Sequence, residues 1–89
     1  MSRTAIEQLE IRNSAILLKQ RLEASKDSIA REFLNGSLGE AIDKAINGSF
    51  ETLNEVPSFE LFSRGILQCA EDEYMNFYSW VMFGKPAFV

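Results

Sequence analysis

The chain has 89 residues, a formal net charge of -4, no histidine and a single cysteine, Cys69. That length makes one domain, and one that buries only about 60–65% of its unfolded surface. The acidic balance argues against a nucleic-acid binder, which needs a basic surface to displace counterions. The lack of histidine removes the commonest general base and metal ligand, and one cysteine cannot build a disulfide framework.

Apolar residues make up 46% and charged residues 25%, the balance of a folded domain rather than a disordered one. The opening MSRTAIEQLE has charges every few residues and no apolar run of a signal peptide. The longest apolar runs, 15–18 and 80–83, fall far short of a membrane span. The expectation is a cytoplasmic protein with no cofactor, no metal and no membrane contact.

Residues 4–34 contain neither glycine nor proline. Ile11, Ala15, Leu18, Leu22, Ile29 and Phe33 recur at spacings of three, four and seven, which predicts a helix with one apolar face. Ile6, Leu9, Ile16 and Leu34 form a second face, roughly opposite. Such a helix either lies at the centre of a bundle or keeps one face for a second subunit. A straight helix over this span would be about 46 Å long, against a diameter of roughly 30 Å for a compact domain of this size. The helix is therefore expected to break near Ser25, where Ser25 or Asp27 can cap a new one. Arg12, Lys19 and Lys26, seven apart, share a face, and Lys19 with Glu23 and Asp27 with Arg31 make i,i+4 pairs there. A helix-turn-helix reading of 27–46 fails, because its second helix carries acids and no residue suited to base edges.

The motif Asn-Gly-Ser occurs at 35–37 and again at 47–49, each time between apolar residues. Gly36 and Gly48 suit the left-handed position that ends a helix. Ser37 then caps the next helix, with Glu40 completing a capping box, and a short helix is predicted over 38–46. Residues 49–56 read as either a short helix or the second arm of an Asn-Gly hairpin.

Pro57 and Ser58 suit a helix start. Phe59, Phe62, Ile66, Cys69, Ala70, Phe77, Trp80 and Val81 follow at helical spacing, with Gly84 and Pro86 as the stop. Leu67, Tyr74 and Tyr78 widen this stripe to about half the helix circumference. The predicted fold is all-α: a single domain over 1–89, a three- to four-helix bundle with a long N-terminal helix, short middle helices and a long aromatic C-terminal helix.

Three acids, Glu71, Asp72 and Glu73, run into the aromatic segment. Only Glu73 falls inside the apolar stripe. It is either a proton-transfer or ligand-binding acid, or a stripe-edge carboxylate satisfied by a cation or hydroxyl from a neighbouring helix or subunit. A lone acid without histidine makes no recognisable catalyst, and Cys69 has no histidine to activate it, so no catalytic residue is assigned and no enzyme is expected. Aromatics and methionine concentrate at interface centres. Ile16, Tyr74, Met75, Tyr78, Trp80, Met82, Phe83 and Phe88 are therefore the candidate interface. The expected function is a small protein–protein interaction module, an adaptor or inhibitor of the kind carried by phages and mobile elements. It acts by binding or occlusion on a protein partner of unknown identity, and self-associates. The alternative is a small-ligand pocket around Glu73, Tyr74 and Trp80.

Overall fold

A computed structural model describes residues 3–26, 28–53, 56 and 70–87. Helix α1, Ala5–Ala24, opens with a reciprocal cap. Thr4 is extended, and its Oγ1 accepts from the Glu7 backbone N–H at 3.1 Å and donates to Glu7 Oε1 at 3.2 Å. Its inner face buries Ile11, Ala15, Leu18 and Leu22 completely. The helix stops at Ser25, which turns to extended backbone (φ -71°, ψ 138°). Its 20 residues span about 30 Å, within a domain of 36 × 26 × 20 Å. The break thus falls where the size of the domain requires it.

Helix α2, Ser28–Asn35, and helix α3, Ser37–Asn47, follow almost without a linker. The expected cap Asp27 lies outside the described residues. The two Asn-Gly-Ser copies differ. Gly48 is left-handed (φ 79°) and ends α3 as expected. Gly36 is extended (φ -103°, ψ -156°) and is itself the N-cap of α3, while Ser37 is the first helical residue and makes no side-chain cap. The expected Ser37–Glu40 capping box is therefore not formed. After α3 comes a 3-10 turn at Phe50–Thr52, held by Thr52 Oγ1 donating to the Ser49 carbonyl at 3.2 Å. This decides 50–52 against the second arm of a hairpin.

Helix α4, Glu71–Phe83, ends at Gly84 (φ 68°), whose N–H reaches the Trp80 carbonyl at 3.2 Å. The expected start at Pro57 and Ser58, with Phe59, Phe62, Ile66 and Cys69, lies outside the described residues. Among the described residues, no helix is long and apolar enough to cross a membrane.

Helix α1 is the central element and packs against α2, α3 and α4. It runs antiparallel to α4, since Arg3 meets Val81 and Arg21 meets Glu73. It also runs antiparallel to α3, since the Arg12 side chain lies by Gly48 and Lys19 Nζ lies 4.0 Å from Asp43 Oδ1, so this lysine reaches across the bundle rather than along its own helix to Glu23. The core closes with Leu38, Ile42 and Ala45 of α3, Leu53, and Tyr74 and Phe77 of α4.

One contact had no sequence signal. Arg3 donates from Nη1 to the Val81 carbonyl at 3.0 Å and from Nη2 to the Leu53 carbonyl at 2.9 Å. Val81 lies in the last turn of α4, where carbonyls lack an intrahelical partner and the helix dipole favours a cation. Arg3 thus ties the start of the chain to the end of α4 and to the turn after α3. Hydrogen bonds from a charged donor contribute about 1.5–3 kcal/mol each when well buried, and these are half-buried. Arg3→Ala is expected to lower stability by about 1–3 kcal/mol, read as a fall of roughly 5–15 °C in Tm. An unchanged melting curve would show that the clip contributes nothing.

Candidate functional site: the groove between α1 and α4

Side chains at Ile6, Glu10, Ser14 and Leu17 stack along one side of α1, because spacings of three and four return to the same face. Opposite them stand Asp72, Glu73, Asn76 and Trp80 of α4, with Pro86 at one end. Between the two rows lies a groove of about 560 Å³.

The acids have a local reason for their position. Glu71, Asp72 and Glu73 occupy the first turn of α4, where the exposed N–H groups and the helix dipole stabilise negative charge. Glu71 and Asp72 are exposed. Glu73 turns inward and pairs with a neighbouring helix: its Oε1 accepts from Arg21 Nε at 3.0 Å. The carboxylate side chain is 21% exposed and the arginine 64%, so the pair is a rim contact contributing about 0–1 kcal/mol.

Ser14 and Asn76 are engaged within the domain. Ser14 Oγ donates to the Ile11 carbonyl at 3.0 Å. Asn76 Oδ1 accepts from the Ala87 N–H at 3.3 Å, which folds the chain back after Gly84. The described lining of the groove contains Glu10, Asp72 and Glu73 beside the apolar Ile6, Leu17 and Trp80, and Arg21 at its edge meets the Glu73 charge, which leaves Glu10 and Asp72 as its excess acids. Among the described residues, no three acids or cysteines are grouped as a metal would need.

The structure divides the candidate residues. Glu73 and Trp80 share the groove, but Tyr74, expected beside them, is 1% exposed and belongs to the core. Burial, and next to it the neighbouring Tyr78, push its phenol up to about 12. The two rings are 5.9 Å apart, and Tyr78 meets the edge of Phe83 at 6.1 Å. Met75, Tyr78 and Phe83 line a separate hollow of about 360 Å³ beside Lys85 and Ala87. Met82 and Phe83 are exposed, and Ile16 is half-buried on α1. Phe88 lies outside the described residues. The groove also contains Leu17 and Glu10, which sequence reasoning did not place in a site. Leu17 follows Ile6 by eleven residues, about three helical turns, a spacing that carries the signal.

Compared with family models, curated proteins and solved structures, the chain matches none.

Proposed function

We propose that the protein is a small interaction module that works by binding or occlusion rather than by chemistry, and that it associates with itself. The observation that supports this reading is the outer side of α1. Ile6, Leu9 and Leu17 are 71%, 56% and 53% exposed, on a helix whose other side already carries a complete core. Scattered exposed apolar residues need no explanation, but three within one side of one helix, with the half-buried Ile16 among them, concentrate apolar surface where interaction sites are found. Ile6 and Leu17 of this surface also line the groove, whose Glu10 and Asp72 add charge selectivity. Light scattering across micromolar concentrations is expected to report at least double the 10.1 kDa monomer. A mass of 10.1 kDa at every concentration would remove self-association from this reading.

A further inference from the structure

We infer that the groove between α1 and α4 receives an amphipathic helix of another protein, one with lysine or arginine along both borders of its apolar stripe. This rests on the reading of the protein as an interaction module and not on self-association. Ile6 and Leu17 of α1 and Trp80 of α4 give the groove its apolar surface. From Ile6 to Leu17 the wall runs about 16 Å along α1, or three turns of a helix laid beside it. Both walls are helices, so away from their ends the backbone N–H and C=O groups are already bonded within them. Such walls offer no sheet edge to an extended chain, and an occupant has to satisfy its own backbone, as a helix does. Ser14 and Asn76 are likewise held, by the Ile11 carbonyl and the Ala87 N–H. Apolar contact and charge are therefore the main terms of recognition.

The charge has a sign and a distribution. Glu73 is already met by Arg21 at 3.0 Å. Glu10 stands on the α1 wall and Asp72 on the α4 wall, and among the described residues neither has an ion-pair partner. An occupant between them meets one acid on each side, so its cations belong on both borders of the stripe that faces the groove. A second copy does not supply such a helix. The chain carries a net charge of -4. Among the described residues, α2 and α3 hold one cation each and α4 none. The exposed apolar side of α1 has Arg12 and Lys19 along one border, but Glu10 and the already paired Arg21 along the other. The complementary helix is therefore sought on a basic partner.

Trp80 is the chain's only tryptophan and is half-buried in the groove lining, so its emission reports occupancy. The test titrates the full chain with a tryptophan-free synthetic peptide of about 18 residues, enough to cover three turns with ends to spare. It carries leucine at spacings of three and four, lysine along both borders of that stripe, and alanine elsewhere. Saturable binding with a blue shift of the Trp80 emission is expected. A scrambled peptide of the same composition, and one with glutamate in place of lysine, are each expected to bind about 10-fold more weakly or worse. On the protein, Glu10→Lys combined with Asp72→Lys is expected to weaken binding about 10-fold or more, with helicity unchanged. Glu23→Lys combined with Glu32→Lys changes the net charge equally, at exposed positions of α1 and α2 outside the groove, and is expected to leave binding unchanged. No emission shift with the leucine–lysine peptide, equal binding of the scrambled peptide, or equal losses from the two double variants would overturn the inference. A dimer that Leu17→Glu dissociates, in a chain that binds no peptide, would give the groove to a second copy. That outcome overturns this inference and leaves self-association standing. A 10.1 kDa monomer that binds the peptide as described supports this inference and removes self-association.

Discussion

Gly39→Ala is expected to lower stability by about 3 kcal/mol or more, although alanine is the better helix former by about 1 kcal/mol. Gly39 is buried near the start of α3, immediately after the chain leaves α2. A Cβ there would lie 1.7 Å from the Leu34 carbonyl oxygen and 2.5 Å from its carbon. Both atoms are backbone, so no side chain can swing aside. The two helices would have to part, and α3 cannot move freely because Leu38, Ala41, Ile42 and Ala45 are all packed into the core. For a domain of this size the expected fall in Tm is roughly 12–24 °C. Gly36→Ala is the control. Its Cβ would meet the Glu32 carbonyl at 3.3 Å, a contact relieved by a few tenths of an ångström, and its φ of -103° suits any residue. That variant is expected to lose no more than about 1 kcal/mol, the difference between glycine and alanine at an N-cap. Urea denaturation of both variants separates the cases. If Gly39→Ala is as stable as wild type, the close approach of α2 to α3 is wrong.

The same region shows what a sequence can and cannot carry. The break after α1 was legible because it follows from length alone: a helix from 4 to 34 does not fit the domain. Gly84 and Gly48 were legible because each ends a helix that nothing continues. Gly36 sits in the same Asn-Gly-Ser motif as Gly48 and takes a different conformation, because α3 must follow α2 at once and pack beside it at Gly39. That demand comes from tertiary fit and leaves no local mark. Thr4 and Glu7 carry the same capping-box pattern as Ser37 and Glu40, so the pattern alone could not say which copy closes. At the site, the inward turn of Glu73 was legible from helical angle, but Arg21 lies 52 positions earlier in the chain and becomes its partner only once α1 and α4 are antiparallel. Arg3 has no periodic neighbour to announce it, since its two acceptors meet only in the folded domain. The wide aromatic stripe of α4 did not reveal which edge would be core and which groove. The position of α1 decides that Tyr74 goes inside and Trp80 to the rim.

That placement of Tyr74 predicts a loss of stability in alkali. Burial holds its phenol neutral to about pH 12 in the folded protein, against about 10 when the chain is unfolded. Below pH 10 both states keep the proton, and the contribution is constant. Between pH 10 and 12 the unfolded chain gives up the proton while the folded one retains it, so unfolding becomes easier as pH rises. Each unit removes about 1.4 kcal/mol, and the whole interval removes about 2–3 kcal/mol. Other groups titrate in the same range, so the quantity to measure is the difference between wild type and Tyr74→Phe, by urea denaturation from pH 8 to 12. The difference is expected to be flat to pH 10 and then to fall against wild type. Tyr78→Phe, which removes only the smaller of the two causes, should keep most of the slope. A difference that stays flat to pH 12 would mean that Tyr74 is open to water. Protein concentration adds a second distinction. If Tyr74 were buried by assembly, the slope would weaken on dilution as the copies separate. Because α1 and α4 of one chain bury it, the slope is expected to be the same at low and high concentration.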